Sequence, residues 1–227
     1  MSQVETRDLR ITVGETASVS ARLVRPSDAF AIYVLAHGAG AGMRHPFMED
    51  IANRLSQRGV ATLRYQFPYM EAGKPRPDPP ARAMAAVKAA AATAHEVAGD
   101  LFAVAGGKSF GGRMTSTAVA EHELVGIGGL VFLGFPLHAP KRQGTERADH
   151  LRDVLLPMLF LQGTRDALAD LTLLRPLIKQ LGHSTTLHVI EEGDHSFKVP
   201  KRTGRTMDDV MDDLAQTTAE WIMSVKR

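Results

Sequence analysis

The sequence predicts an α/β fold, a mostly parallel and doubly wound sheet with an N-terminal β-hairpin. Short apolar runs alternate along the chain with segments that have helical spacing of apolar residues, which is typical of successive β–α–β units. The run AFAIYVLA at 29–36 is apolar throughout, as expected of a strand covered on both faces. The hairpin is predicted from LRITV at 9–13 and VSARLV at 19–24, which flank Gly14 and a polar stretch.

The elements of the first half follow in order. They are the strand 29–36, a helix 46–58, a strand 60–67, a proline-rich loop, a helix 81–98 and a strand 101–106. The first helix carries Phe47, Ile51 and Leu55 on one face. It ends at Gly59, a common helix stop. The alanine-rich segment 81–98 is either a low-complexity linker or a helix, and its apolar spacing favours a helix packed closely on the sheet.

The second half continues the alternation. It contains a helix 111–122, a strand 129–135, a short helix 146–154, a strand 157–163, a helix 168–181, a strand 185–190 and a helix 207–225. The last helix has Thr206 as its predicted N-cap, and aspartates in its N-terminal half favour the helix dipole. Because doubly wound sheets bind ligands at the carboxyl ends of their strands, candidate functional residues are sought there.

Length and composition are those of one globular domain. With 227 residues, 44% hydrophobic and 23% charged, the chain is expected to form a single domain over residues 1–227. The net charge of +2, from 27 basic and 25 acidic residues, lacks the concentrated positive charge of a nucleic-acid-binding protein. The absence of cysteine excludes disulfides, thiolate metal sites and a cysteine nucleophile.

No membrane or secretory segment is predicted. The N-terminus MSQVETRDLR has no apolar core of a signal peptide. The longest apolar run, 124–137, is shorter than the ~20 residues that cross a membrane. We therefore expect a cytoplasmic protein with no membrane partner and no nucleic-acid partner, and the oligomeric state stays open.

The stretch AVAGGKSFGGR at 103–113 fits two motifs that exclude each other. The letters GKS match the end of a phosphate-binding P-loop, but that loop needs a glycine where Phe102 lies in a predicted strand. The letters GKSFG match G-x-S-x-G, in which Gly107 and Gly111 would allow the sharp strand-to-helix turn that exposes a nucleophilic serine. The predicted strand before and helix after favour the second motif, so Ser109 is the candidate nucleophile.

Two downstream residues are candidates to activate Ser109, because a serine hydroxyl needs a base and the base needs an acid to orient it. Asp166 follows the strand PMLFLQG, and His195 follows the strand TTLHVI. Both stand at carboxyl ends of predicted strands, in the chain order serine, acid, histidine that this kind of turn requires. Asp170 is a rival acid that is predicted to lie inside a helix. The other histidines are interpreted as surface or structural residues.

Backbone N–H groups that could stabilise an oxyanion are expected in two places. One is Phe110, the residue after the nucleophile. The other is the HGAGAG loop at 37–42, where Ala39 or Gly40 could present its N–H group. The rival interpretation of this loop, a dinucleotide-binding G-x-G-x-x-G, would need a glycine where the chain has Met43.

These motifs together carry a family resemblance. With HGAGAG, GGKSFGGR, GTRD and GDHSF in this order, the chain resembles the α/β-hydrolase superfamily over nearly its whole length. The form G-K-S-x-G-G-R, with GFPLHAP and ERADHL, resembles a branch that includes testis-expressed proteins, subunits of the NSL histone-acetyltransferase complex and bacterial predicted hydrolases. The chain is more remotely similar to dienelactone hydrolases, whose usual cysteine nucleophile is absent. The resemblance implies an α/β-hydrolase fold with Ser109, Asp166 and His195 as the catalytic triad.

The surroundings of the motifs bear on the substrate. Only residues 136–147 separate one strand from the next helix, so we expect no lid domain and a preference for small or medium esters over long-chain lipids. Basic residues near the motifs form either an anion-binding rim or structural ion pairs and a solvated loop. They are Arg44, His45, Lys108, Arg113, Lys198, Lys201, Arg202 and Arg205.

The sequence therefore predicts a serine hydrolase that cleaves carboxylic esters or thioesters through an acyl-enzyme. It would need no cofactor and no metal, and its partner would be a small-molecule ester or thioester. The alternative is a hydrolase-fold scaffold or binding protein. A complete set of nucleophile, acid and base argues against that alternative, because a scaffold has no physical need of all three.

Overall fold

The computed structural model describes residues 3–15, 17–122, 124–139 and 141–226. Eight strands in these residues form one sheet. They are β1 (Val4–Val13), β2 (Ala17–Pro26), β3 (Ala31–Ala36), β4 (Val60–Tyr65), β5 (Phe102–Lys108), β6 (Ile127–Leu133), β7 (Met158–Gly163) and β8 (Thr185–Ile190). Their order across the sheet is β1-β2-β4-β3-β5-β6-β7-β8.

The strand directions confirm the predicted mostly parallel sheet with an N-terminal hairpin. β1 and β2 pair antiparallel as the hairpin, and β2 pairs antiparallel with β4. The pairs from β4 through β3 to β8 are all parallel. Thr16, in the predicted turn of the hairpin, lies outside the described residues.

The helices connect these strands. They are α1 (Pro46–Ser56), α2 (Pro68–Glu71), α3 (Pro80–Ala98), α4 (Phe110–Ala120), α5 (Leu171–Leu181) and α6 (Met207–Val225), with 3₁₀ helices at Glu146–Asp153 and Lys201–Thr203. The alanine-rich segment is thus a helix and not a linker. α2 was not predicted, because its four residues lie in the proline-rich loop. Thr206 caps α6 as predicted and forms a capping box with Asp209.

Helices cover both faces of the sheet, which makes the fold doubly wound. On one face α1 and α6 bury apolar side chains, among them Leu55 and Leu214. On the other face α3, α4 and α5 do the same, with Ala90, Met114 and Leu174 in one cluster with residues of the sheet. The small side chains of α3 allow this helix to lie close to the sheet. The two apolar clusters therefore fix the sheet from both sides.

The parallel strands bring distant segments of the chain to one edge of the sheet. The HGAGAG loop follows β3, Ser109 follows β5, Asp166 lies on the loop after β7, and His195 lies on the loop after β8. β8 is the last strand of the sheet, and of its six residues only Ile190 is fully buried. The most thinly covered parallel strand therefore precedes the histidine loop.

The connection after β6 is a loop, as predicted. Residues 134–139 and 141–145 lead from β6 to the first 3₁₀ helix, with an isolated bridge between Ala139 and Arg142. Pro140 lies outside the described residues. No lid domain is inserted within the described part of this connection. None of the described helices has both the length and the apolar character needed to cross a bilayer.

Candidate active site

Ser109 lies in the turn between β5 and α4. Its φ of 49° falls in the left-handed region, which is strained for a residue with a side chain. The flanking glycines make this turn possible. A Cβ at Gly107 would lie 2.1 Å from the carbonyl oxygen of Ala36, and one at Gly111 would lie 2.5 Å from that of His37. The G-x-S-x-G spacing is therefore a steric requirement of a turn packed against the end of β3.

The His195 imidazole lies between the other two residues that the sequence grouped with it. Its Nε2 is 2.9 Å from Ser109 Oγ, and its Nδ1 is 2.7 Å from Asp166 Oδ2. With an ionised carboxylate as acceptor, Nδ1 carries the proton and Nε2 accepts from the serine hydroxyl. The loops after β5, β7 and β8 thus bring Ser109, Asp166 and His195 into one chain of hydrogen bonds.

Asp166 is held in place by donors on both of its oxygens. Its carboxylate is buried, with Oδ1 accepting from the Leu168 N–H at 2.7 Å and Oδ2 accepting from Gln162 Nε2 at 2.5 Å as well as from the imidazole. Gln162 Oε1 in turn accepts from the Phe135 N–H at 2.9 Å, after β6. Gln162 was not predicted, although a polar residue in the apolar strand MLFLQG is a signal that the sequence contains.

Asp170, the rival acid, has a structural role. It is the N-cap of α5 and lies before the helix, not inside it as predicted. Its Oδ1 accepts from the N–H of Thr172 at 2.8 Å and from the Thr172 hydroxyl at 2.7 Å. The Asp170 carboxylate therefore stabilises the start of α5, whereas the Asp166 carboxylate is bonded to His195.

The HGAGAG loop lies directly beside the nucleophile. A Cβ added to Gly38 would be 3.7 Å from the Ser109 Cβ. The Gly40 N–H, one of the predicted oxyanion donors, donates to the Tyr69 hydroxyl at 3.0 Å. Within the described part of the chain, no such partner holds the N–H groups of Ala39 and Phe110. Of the three predicted donors, the Gly40 N–H group is thus already hydrogen-bonded, whereas those of Ala39 and Phe110 are available to a ligand.

His37 fixes the start of this loop. Its Nε2 accepts from the Phe67 N–H at 3.1 Å, so Nδ1 carries the proton and donates to the Gly38 carbonyl oxygen at 2.8 Å. Burial lowers the pKa of His37 to about 4, because the charged form loses its hydration. His37 and Tyr69 were not singled out in the sequence, since their partners lie about 30 residues away.

A cavity of about 720 Å³ opens above Ser109 and His195, between the N-terminal ends of α1 and α6. Its walls are largely apolar, with Phe47, Met48, Leu168, Met207 and Met211 among the lining residues. Charged side chains also line it, namely Asp50, Lys108, Lys198 and Asp208. Cavities of this size bind small organic molecules.

The basic residues near the motifs do not act as one group. Arg202 pairs with Glu192 at 2.6 Å, and Arg205 pairs with Asp213 at 2.7 Å. The others have other surroundings. Arg44 lies 3.5 Å from Asp8, and His45 caps α1. Lys198 lines the cavity, and Lys201 is exposed. Arg113 lies near Arg147, and Lys108 donates to a backbone carbonyl. Neither predicted alternative therefore describes the whole set.

A second serine–histidine pair lies outside the cavity. Ser116 Oγ on α4 is 2.7 Å from His150 Nε2 on the first 3₁₀ helix, and the Ser116 hydroxyl also donates to the Arg113 carbonyl oxygen at 3.0 Å. Ser116 is fully buried. Burial, followed by the positive charge of Arg113, lowers the pKa of His150 to about 4. The buried serine partner is consistent with the structural alternative predicted for His150.

Across 3–15, 17–122, 124–139 and 141–226, no three His, Asp or Glu side chains lie together as a metal site would require.

Comparison with known families gives a direct assignment. The model of the alpha/beta hydrolase domain family matches residues 29–223. The chain belongs to this family. The match covers β3 through most of α6, and so includes every element that carries a residue of the candidate site.

Solved structures share the fold of this α/β hydrolase. A dienelactone hydrolase from Anabaena variabilis is 23% identical, with a TM-score of 0.77 over 98% of each chain. An α/β serine hydrolase homologue from Coxiella burnetii is 17% identical, with a TM-score of 0.74 over 93% of this chain and 96% of that one. An α/β serine hydrolase without a lid from Xanthomonas campestris is 18% identical, with a TM-score of 0.72 over 96% and 95%.

Proposed function

We propose that this α/β hydrolase is a serine hydrolase that cleaves carboxylic esters or thioesters through an acyl-enzyme. One observation supports the proposal above the others: the hydrogen-bonded chain from Ser109 through His195 to Asp166 ends at a cavity. Of these groups, Ser109 and His195 line the cavity, and Asp166 is buried behind them. This is the arrangement that nucleophilic catalysis by serine requires.

In the proposed reaction, His195 Nε2 takes the proton from Ser109 Oγ as that oxygen attacks the carbonyl carbon. The ionised Asp166 stabilises the imidazolium, which then gives the proton to the departing alkoxide or thiolate. Water attacks the resulting acyl-serine, with His195 again accepting a proton. The acid is released, and the proton returns to Ser109. Atoms and charge balance without any cofactor.

The oxyanion of each tetrahedral intermediate would be stabilised by two backbone N–H groups. We assign these to Ala39 and Phe110. Gly40, the other predicted donor, is set aside because its N–H group is already directed at the Tyr69 hydroxyl. Tyr69 and His37 would then keep the Ala39 amide in place by holding the residues on either side of it.

The cavity suggests the acyl group. Apolar walls that include Phe47, Met48 and Met211 favour a small or medium aliphatic or aromatic acyl chain. We expect p-nitrophenyl butyrate and octanoate to be hydrolysed with a higher kcat/KM than the palmitate ester, because the described part of the connection after β6 carries no lid domain that would cover a long chain. A maximum at palmitate, or turnover of long-chain triglyceride, would contradict this part of the proposal.

We also propose a narrower place for the chain within the α/β-hydrolase superfamily. The motif G-K-S-x-G-G-R supports a place in the branch of testis-expressed proteins and NSL histone-acetyltransferase-complex subunits. The cytoplasmic location also stays a prediction. Because some members of that branch act through protein contacts, the scaffold alternative is tested together with the activity.

Labelling with a fluorophosphonate probe tests the mechanism directly, since the probe reacts with an activated serine. We expect the wild-type chain and Ser116→Ala to be labelled equally, and Ser109→Ala to remain unlabelled. Labelling of Ser109→Ala at the wild-type rate would show that another residue is the nucleophile. No labelling and no ester turnover, combined with a stable protein partner in a pull-down, would support the scaffold alternative.

A further inference from the structure

Lys108 stands immediately before the nucleophile, and its side chain reaches the loop that carries the histidine. Its Nζ donates to the carbonyl oxygen of His195 at 2.6 Å. The two residues are 87 positions apart in the chain. The side chain therefore links the last residue of β5 to the backbone of the very residue whose imidazole contacts Ser109.

The rest of the histidine loop is attached elsewhere. The Arg165 N–H donates to the Gly193 carbonyl oxygen at 2.8 Å, and the Glu192 N–H donates to Thr164 Oγ1 at 2.7 Å. Both bonds join the loop to the segment after β7. Among the described residues, Lys108 makes the one hydrogen bond between residues 191–199 and β5 itself.

The surroundings of the ammonium favour this fixed position. It lies 5.3 Å from the centroid of the Phe197 ring, and Phe197 is fully buried. Burial lowers the pKa of Lys108 to about 8, whereas the charges of Asp166 and Asp194 act in the opposite direction. A lysine that is still charged near neutral pH makes a stronger bond to a carbonyl than a neutral donor does.

We propose that Lys108 is a positioning residue that holds the backbone of His195 at the distance from Ser109 that proton transfer requires. The inference rests on the proposed function of the same site. This role needs no bound anion, because the Lys108 Nζ donates to a backbone oxygen of the protein itself. A displacement of about 1 Å in such a site lowers the rate by about 10²-fold.

The first test separates positioning from substrate binding. In Lys108→Met, a side chain of similar length lacks the donor, and we expect kcat to fall ~10- to 100-fold with KM within about twofold. The loss should be equal for a neutral butyrate ester and a succinate half-ester. Lys201→Met, which changes the exposed lysine at the start of the second 3₁₀ helix, is the matched control and should keep the wild-type kcat. A rise in KM confined to the succinate ester would overturn the proposal in favour of an anion receptor.

The second test restores the missing group. Lys108→Ala leaves a space where the side chain was, and we expect added ethylammonium to recover part of kcat in a saturable manner. Ethanol and tetramethylammonium at the same concentrations should not do so, because the first is uncharged and the second has no N–H. Equal recovery with all three would indicate simple filling of space and would contradict a hydrogen-bonding role.

The third test does not depend on turnover. The proton between His195 Nδ1 and Asp166 should give a strongly downfield ¹H NMR resonance, assigned by its absence in His195→Asn. We expect this resonance to broaden or shift in Lys108→Met and to persist in Lys201→Met. An unchanged resonance and unchanged kcat would refute the positioning role. Absence of labelling and turnover in the wild type, with a resonance sensitive to Lys108, would refute only the proposed function.

Discussion

Within the described residues, two serine–histidine hydrogen bonds of similar length lie in different surroundings. Ser109 Oγ is 2.9 Å from His195 Nε2, and Ser116 Oγ is 2.7 Å from His150 Nε2. The first pair lines a cavity and has a buried carboxylate behind it. The second has its serine fully buried in α4. The distance between a hydroxyl and an imidazole therefore does not by itself distinguish a candidate catalytic pair from a structural one.

The direction of the hydroxyl proton adds a further difference. The Ser116 hydroxyl donates to the Arg113 carbonyl oxygen, so the bond to His150 is one in which the imidazole is the donor. His150 in that tautomer cannot act as a base toward Ser116. The Ser109 hydroxyl has the His195 imidazole as its hydrogen-bond acceptor. Four measurements on matched variants test whether the two pairs differ in this way.

The largest difference should appear when each serine loses its hydroxyl. We expect Ser109→Ala to lower kcat for a butyrate ester by at least about 10⁴-fold, because the acyl-enzyme cannot form. Ser116→Ala should stay within threefold of the wild type. Steady-state kinetics on both purified variants is the measurement. Comparable losses in the two would show that the Ser116 pair takes part in the reaction.

The acid should matter at one pair alone. In Asp166→Asn the carboxylate is lost, and the imidazole can then adopt the wrong tautomer. We expect kcat to fall by about 10³- to 10⁴-fold. Asp149, whose charge acts on His150, is exposed, and Asp149→Asn should leave kcat within twofold. A loss below tenfold in Asp166→Asn would remove Asp166 from the mechanism.

The Ser116–His150 pair should instead affect the free energy of unfolding at low pH. Because the pKa of His150 is about 4 when folded and about 6.5 when unfolded, the unfolded chain binds the extra proton between these values. Stability is therefore lost as pH falls from 6.5 toward 4. Urea unfolding should show His150→Gln reducing this loss by about 2 kcal/mol, with the exposed His183→Gln as control. Equal slopes in all three proteins would disprove the assignment. His37, whose pKa is also about 4, should contribute a loss of its own.

The smallest effect concerns stability at neutral pH. Ser116→Ala leaves the half-buried His150 donor without its acceptor and removes the bond to the Arg113 carbonyl, so we expect a loss of about 1 to 2 kcal/mol. Ser109→Ala removes a hydroxyl that borders a cavity, and should change the free energy of unfolding by less than that. The midpoints of urea denaturation compare the two, and a reversed order would contradict the structural role of Ser116.

The fold and the proximity of Ser109, Asp166 and His195 could both be predicted from the sequence. Apolar runs fixed the strands, and parallel strands bring their carboxyl ends to one edge, so Ser109, Asp166 and His195 had to lie near one another. The glycines around Ser109 carried the signal of the turn. What could be predicted is thus what depends on backbone topology.

The remaining contacts depend on side-chain reach, which periodicity does not encode. Gln162 was missed as the residue that holds Asp166, and Tyr69 was missed as the acceptor that engages Gly40. The motifs around Lys108 allow a phosphate ligand, an anion receptor or an ion-pair partner, but they do not predict its backbone acceptor, the carbonyl oxygen of His195. The short helix α2 was missed because four residues in a proline-rich loop give no helical period.

The position of β8 at the edge of the sheet makes the candidate site sensitive to local unfolding. β8 pairs with β7 on one side only, and five of its six residues are incompletely buried. An edge strand of this kind opens before the central strands do. Since the loop that begins after Ile190 carries His195, fraying of β8 would displace the imidazole that we propose as the base while β3, β5 and β6 remain folded. Hydrolase activity would then be lost at a lower temperature or urea concentration than the one that unfolds the central strands of the sheet.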